Sequence, residues 1–171
     1  MKLILILLLS VLSSHVQSQN LKDEKGLKTG LWLESNLNGF SESYYRDGKL
    51  NGFYREYLNE NKMRLFYFGE YKNGEMSGKW YFIDNKSHLY MTCENIQRNI
   101  MEVGKTGGKK VVPKMKAFVQ LFHKNGQLMA QGNAIFDDIE IDFYRVNNWI
   151  LIDNTGKSLK TVKYSKPTII D

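Results

Sequence analysis

Residues 69–80 read Gly-Glu-Tyr-Lys-Asn-Gly-Glu-Met-Ser-Gly-Lys-Trp, and the last ten of them align without a gap on residues 45–54, 26 positions earlier. Both copies contain an Asx-Gly pair, a second glycine four positions after the first, and an aromatic residue two positions later. An Asx-Gly pair is a strong hairpin signal, because glycine adopts the positive φ that tight turns require. The repeat therefore predicts hairpins at a regular spacing.

Two further copies extend the pattern. Residues 26–32 keep both glycines and the aromatic residue, and residues 124–128 keep the Asn-Gly turn. The segments 52–58 and 63–71 between turns are rich in Tyr and Phe, which is typical of strands. We therefore predict an all-β fold, an elongated antiparallel meander of stacked β-hairpins, with one short helix over residues 94–103. The glycines assigned to structural turns are Gly48, Gly52, Gly74, Gly78 and Gly126, with positive φ expected at Gly48, Gly74 and Gly126.

Residues 69–80 closely resemble the MORN repeat, in particular its bacterial exported variant with a Tyr-Lys-Asn-Gly turn followed by Gly-Lys-Trp. The resemblance is clearest over residues 26–83 and returns in a degenerate copy near residues 122–136. It implies hairpins stacked side by side into a curved antiparallel sheet that acts as a protein or lipid contact surface. Many exported relatives are labelled antitoxin-like, although a neutraliser of a cytoplasmic toxin gains nothing from export.

The N-terminal segment has the pattern of a cleavable signal peptide. A charge at Lys2 precedes an apolar run of about ten residues, and the segment ends in Val16-Gln17-Ser18. A membrane-spanning helix needs roughly 20 apolar residues, about twice the length of this run. We predict cleavage after Ser18, a mature chain that begins at Gln19, one repeat domain over residues 19–171, and a secreted or periplasmic location.

Charge and cysteine content narrow the function classes. Without residues 1–18 the chain has 23 basic and 18 acidic residues, a mild excess with no helix or aromatic platform to match it, so nucleic acid is not an expected partner. The single cysteine, Cys93, cannot form an intrachain disulfide. Its apolar surroundings favour a buried, inert thiol over a reactive one.

No motif for catalysis, metal binding or a cofactor is recognisable in the sequence. His88 and His123 are the histidines that remain after cleavage, and lone histidines in hairpins are usually structural. Asp138, Glu140 and Asp142 share one face of a predicted strand. They form either a solvated face or a calcium site, although calcium loops favour bent backbones.

The aromatic residues Trp32, Tyr54 and Trp80 follow the second glycine of successive repeats. Such a ladder forms either a ligand-binding row or the core of the sheet. We expect a non-catalytic module of the bacterial envelope or the cell exterior that binds a protein partner. The alternatives are a module for anionic lipid or cell-wall polymer, or a small hydrolase with its site in residues 85–171.

Overall fold

The computed structural model describes residues 19–36, 39–59, 63–98, 115–136 and 143–170. Within these ranges eleven strands form one antiparallel sheet in strict chain order, which confirms the predicted all-β meander. The strands are β1 (Leu21–Lys22), β2 (Lys28–Asn36), β3 (Gly39–Arg46), β4 (Lys49–Asn59), β5 (Met63–Lys72), β6 (Glu75–Ile83), β7 (Leu89–Arg98), β8 (Met115–Phe122), β9 (Leu128–Phe136), β10 (Phe143–Ile152) and β11 (Ser158–Ile169). The predicted signal peptide, residues 1–18, lies outside the described residues.

The prediction of a short helix over residues 94–103 is wrong for its first half. Glu94–Arg98 belongs to β7 and pairs with β8, with Glu94 opposite Phe118 and Arg98 opposite Met115. Pairing with β8 gives the backbone N–H and C=O groups of these residues hydrogen-bond partners, which in a short helix would have to come from the same segment. Residues 99–103 lie outside the described part. Within the described ranges no helix is long and apolar enough to cross a membrane.

The glycines of the repeat have two structural roles. Gly48, Gly74 and Gly126 lie in hairpin turns with φ of 74°, 86° and 82°, as predicted. The assignment of Gly52 and Gly78 to turns is wrong, because they lie inside β4 and β6. The pairing register shifts beside each of them, so these glycines supply the positive φ of a β-bulge.

The sheet coils on itself. Phe82 of β6 and Phe143 of β10 are four strands apart, a separation of about 19 Å in a flat sheet. Their ring centroids are 5.4 Å apart, so the sheet face that carries them is concave at this point. We call this the inner face; it also carries the fully buried Trp80 and Trp149. Curling lets a single sheet enclose a hydrophobic core without a second layer.

One cross-strand row of the inner face alternates large and small residues. Trp80 covers Gly69 so closely that a Cβ there would lie 2.3 Å from its ring, and Trp149 covers Gly132 in the same way, at 2.5 Å. Cross-strand registers link these pairs to their neighbours. We call the whole set the ring row: Trp32, Ser43, Tyr54, Gly69, Trp80, Cys93, Val119, Gly132, Trp149 and Val162. Large side chains facing small ones fill the space over a sheet without gaps.

Candidate binding surface

The three aromatic residues proposed as a ligand row all lie in the ring row, but their environments differ. Trp80 is fully buried, its ring centroid is 5.1 Å from that of Tyr71, and its Nε1 donates to the carbonyl of Ser77 at 3.1 Å. A ring with no exposed surface packs the core and is closed to a ligand. Trp80 therefore has the core role, one of the two alternatives that the sequence left open.

Trp32 occupies the equivalent position at the N-terminal edge and is only partly buried. Its Nε1 donates to the carbonyl of Thr29 at 3.1 Å, which repeats the bond from Trp80 to Ser77, and to Leu21 at 3.0 Å. The ammonium of Lys28 lies 4.6 Å from the ring centroid. Trp32 thus keeps the fold of the motif but remains partly open to solvent.

Tyr54 is half-buried between these two tryptophans. Its hydroxyl donates to Oε2 of Glu56 at 2.6 Å, and its ring packs against Tyr67, Tyr71 and Trp80. Burial and the bond to Glu56 raise the pKa of the Tyr54 hydroxyl well above its usual range. Burial, assisted by the charge of Glu56, raises the pKa of Tyr67 to about 12. Both hydroxyls therefore stay protonated at neutral pH and can donate hydrogen bonds.

A polar row lies next to the ring row on the same face. Glu34, Ser41 and Glu56 are cross-strand neighbours on β2, β3 and β4. The same row continues through Tyr67 and then becomes apolar along the later strands, with Phe82, Met91, Leu121, Ala130 and Leu151. The inner face is therefore polar over β2–β4 and apolar from β6 onward.

Three members of this polar region are buried although they do not belong to an apolar core. Glu56 is 9% exposed, Ser41 is 8% exposed and Ser43 is 1% exposed. No described residue forms a hydrogen bond with the Ser43 hydroxyl, and a polar atom that leaves water without such a bond normally costs free energy. Ser43 lies between Trp32 and Tyr54 in the ring row. Packing at this position explains why the residue is small. It does not explain the hydroxyl, because alanine would fit as well.

Lys28, Glu34 and Tyr45 form a cluster at the margin of this region. The Lys28 ammonium pairs with Glu34, and the Tyr45 hydroxyl donates to the same carboxylate at 2.9 Å. Burial opposes the charged carboxylate, but the hydrogen bonds from Lys28 and Tyr45 outweigh it and lower the pKa of Glu34. The carboxylate is therefore ionised at neutral pH and held in one position.

We define the polar patch as Glu34, Ser41, Ser43, Tyr54 and Glu56. Of these residues only Tyr54 was predicted as a candidate. The others escaped sequence analysis because serine and glutamate are common on solvated strands. A usable signal was their spacing: Ser41 and Ser43 alternate with Glu42 and Tyr44, which places both serines on one face of β3.

The histidines lie in neighbouring hairpin turns, away from the polar patch. Nδ1 of His88 is 3.3 Å from Oδ2 of Asp84, and Nε2 of His123 is buried without a hydrogen-bond partner. Among the described residues no three His, Cys, Asp or Glu side chains are grouped so that they could hold a metal ion. The acidic segment with Asp138, Glu140 and Asp142 lies outside the described residues.

Cys93 is fully buried in the ring row, opposite Trp80 and Val119. Burial, with a smaller contribution from the charge of Glu94, raises the pKa of its thiol to about 12. Because the thiolate is the reactive form, this cysteine is inert at neutral pH. The expectation of a buried thiol is confirmed.

Comparison with known proteins yields no relative. No family model matches the chain, and neither a curated protein nor a solved structure matches it.

Proposed function

We propose that this chain is an exported, non-catalytic repeat module that binds a protein partner in the cell envelope or outside the cell, with the polar patch as its contact surface. The observation that carries this proposal is the group of partly exposed side chains Trp32, Glu34 and Tyr54. They lie beside the buried, unpartnered hydroxyl of Ser43 and the buried carboxylate of Glu56. Departures from an apolar core of this kind are expected at functional positions, because they cost stability and bring no packing gain.

The chemistry of the polar patch indicates what the partner must offer. The partly exposed Glu34 presents carboxylate oxygens, which accept hydrogen bonds most strongly from arginine and lysine, and the buried carboxylate of Glu56 adds negative charge beside it. Trp32 and Tyr54 flank Ser43 with partly exposed rings, and aromatic rings beside charged groups are frequent anchors at protein interfaces. A basic side chain of a partner would fit between these rings and carboxylates.

Sequence features agree with this proposal. The MORN-like motif at residues 69–80 resembles modules that serve as contact surfaces. The pattern of residues 1–18 is typical of an exported protein. A partner in the envelope or outside the cell is therefore the one we would search for first.

The experiment compares two double variants of the mature chain as immobilised bait for envelope extract. Glu34→Gln with Glu56→Gln removes both carboxylates of the polar patch but keeps an acceptor oxygen at each site. Glu24→Gln with Glu70→Gln makes the same charge change at two exposed positions. We expect the first variant to lose about tenfold or more in affinity for a partner that the unmodified chain retains, since each bond to a charged group contributes roughly 1.5–3 kcal/mol.

Thermal melting of both variants shows whether the fold survives. Equal retention of every partner by the two double variants would contradict the role of the polar patch. A hydrolytic activity that depends on His88 or His123 would contradict the non-catalytic assignment itself, because turnover needs a positioned acid, base or nucleophile.

A further inference from the structure

The last strand, β11, forms one edge of the sheet. It pairs with β10 alone and is twelve residues long, about twice the usual strand length. In an antiparallel pair alternate residues direct their N–H and C=O groups away from the partner strand. The outer side of β11 therefore presents a row of backbone donors and acceptors that can pair with another chain.

The opposite edge of the sheet is closed by the chain itself. Asn20 Oδ1 accepts a hydrogen bond from the backbone N–H of Leu33 at 2.8 Å, and Asn20 Nδ2 donates to the carbonyl of the same residue at 3.3 Å. The Asn20 backbone also donates to the carbonyl of Leu31. These bonds use the groups on β2 that an added strand would need. Nothing among the described residues covers β11 in this way.

Basic side chains line the open edge. Residues 143–169 contain one arginine, four lysines and one acidic residue, so this hairpin carries a net charge of +4 from those counts. Lys160, Lys163 and Lys166 are exposed, and none forms an ion pair with a described residue. Lys160 and Lys163 lie in the regularly paired stretch 160–164 of β11, so their spacing of three places them on opposite faces. Lys166 follows in the stretch where the pairing register with β10 shifts.

Arg145 of β10 adds a fourth cation near this edge. Its guanidinium lies 5.3 Å from the ring of Trp149 and 5.8 Å from the ring of Tyr164. Its Nε is buried and has no hydrogen-bond partner among the described residues, and no described carboxylate pairs with the guanidinium. A guanidinium held by two rings and free of a counterion is well placed to bind a carboxylate.

We propose that β11 is a docking edge for an extended acidic peptide, which adds to the sheet as a further strand along residues 158–166. Side chains of an added strand point to both faces of the sheet, so its carboxylates can reach Lys160 on one face and Lys163 on the other, and Lys166 extends the basic edge. A membrane surface would meet one face only. Pro167 has no N–H and ends the docking segment.

The same lysines exclude a second copy of this chain as the occupant. Two β11 edges paired with each other would place lysines opposite lysines, which is destabilising. Attraction of an acidic strand and rejection of a like-charged one are the two halves of binding specificity. This surface is separate from the polar patch, so the two proposals can fail independently.

The test uses the mature chain and a fluorescein-labelled nine-residue peptide in which every third residue is glutamate and the others are valine or threonine, so that its carboxylates point to both faces. Fluorescence anisotropy measures the binding. We expect saturable binding that weakens with salt. Replacing Lys160, Lys163 and Lys166 together with threonine should weaken binding about tenfold, from a loss of roughly 0.5 kcal/mol for each exposed pair. The matched control replaces Lys22, Lys25 and Lys49, which are also exposed, and should bind like the unmodified chain.

A second peptide separates strand addition from simple charge attraction. It has the same sequence but carries a backbone N-methyl group on every residue, so it keeps its charge and has no N–H group to pair with β11 along either of its edges. Loss of binding by this peptide supports the proposal. Equal binding by both peptides, stronger binding to polyphosphate or to anionic phosphatidylglycerol vesicles, or no binding at all would overturn it.

Discussion

At the scale of single residues, the ring row explains why glycine and tryptophan recur together. Trp80 and Trp149 are fully buried, and each covers a glycine on the preceding strand, Gly69 or Gly132. Any side chain at those glycines would occupy the space that the indole fills. Both tryptophans also satisfy their Nε1 with a backbone carbonyl, so burial leaves no indole donor unpaired.

Truncation of Trp80 tests its role in the core. We expect Trp80→Ala to lower the free energy of unfolding by about 3–5 kcal/mol, as for other buried aromatic side chains. Trp32→Ala is the matched control and should cost less, because Trp32 is only partly buried. Urea unfolding followed by circular dichroism measures both. A normal transition for Trp80→Ala would show that the ring is not part of the core.

At the scale of the structural elements, the hairpin turns that the structure describes are of two kinds. In the Asp47-Gly48 and Asn73-Gly74 turns both residues have positive φ, the geometry of two-residue type I′ hairpins. Longer turns begin at Asp23, Asp84, His123 and Asp153, and the fourth residue of each has positive φ. In three of them the first residue is an aspartate whose Oδ1 accepts two backbone N–H bonds.

Substitution of Gly74 tests the two-residue turn. Gly74→Val should destabilise the protein by roughly 1–2 kcal/mol, the cost of placing a Cβ in the left-handed region. Gly74→Asn is the control, since asparagine tolerates this conformation better. Thermal melting compares the two variants, and space is not the limiting factor because nothing lies within 4 Å of a Cβ at this position. An unchanged melting temperature for the valine variant would contradict the turn.

The aspartates of the longer turns predict a dependence of stability on pH. The hydrogen bond from the backbone N–H of His88 is the main cause that lowers the pKa of Asp84, and the Thr155 hydroxyl is the main cause for Asp153. A carboxyl whose pKa is lower in the folded state stabilises the protein above its unfolded pKa, 3.8 here. That stability is lost as the pH falls through the lower, folded value.

We therefore expect the melting temperature to fall on acidification below about pH 4. In the double variant Asp84→Asn with Asp153→Asn this fall should be smaller, because asparagine does not titrate and its side-chain oxygen still accepts from backbone N–H groups. Melting curves recorded between neutral and strongly acidic pH measure the difference. The same fall in both proteins would mean that other groups cause the acid sensitivity.

At the scale of the whole molecule, one coiled sheet replaces the two layers of an ordinary domain. The contact between Phe82 and Phe143 joins strands that are four positions apart. Because the sheet curls until these rings touch, the side chains on the inner face of β6–β10 pack into a core, while the inner face of β2–β4 keeps its polar row. This closure explains where buried residues lie in the described part of the chain, because its fully buried large hydrophobic side chains all belong to β6–β10.

A double-mutant cycle tests closure in solution. Phe82→Ala and Phe143→Ala should each destabilise the protein, and their coupling energy should be about 0.5–1.5 kcal/mol, as for aromatic pairs in direct contact. The control cycle combines Phe82→Ala with Phe40→Ala. The Phe40 ring stacks on Tyr57 and not on Phe82, so additive effects are expected. Additivity in the first cycle as well would mean that the sheet is open.

Export is a property of the whole chain and has a direct test. If residues 1–18 are a signal peptide, intact-mass spectrometry of material recovered outside the cytoplasm should give the mass of a chain that begins at Gln19. Substitution of Ser18 by a bulky residue should slow the cleavage, because the processing site requires small residues. A recovered mass that still includes Met1 to Ser18 would contradict cleavage at this site.

The turns at Gly48 and Gly74 were predictable because the φ of a turn residue depends on two to four neighbouring residues. The burial of Cys93 followed from a short apolar segment. The prediction of a helix over residues 94–103 was wrong in its first half. The strand that pairs with Glu94–Arg98 is β8, which begins only at Met115 and is therefore not apparent from the local sequence. Short segments whose preference is weak take the structure that their distant partner imposes.

The sequence by itself determined the fold class, the hairpin turns and the repeat, because each depends on local backbone preferences and on spacing. Only the tertiary structure decided that Trp80 is core, that Ser43 and Glu56 share a polar patch, and that β11 is an open edge lined with lysines. These features depend on register and on coiling, which bring together side chains from strands far apart in the chain. A shift of one residue would turn every side chain of a strand to the other face.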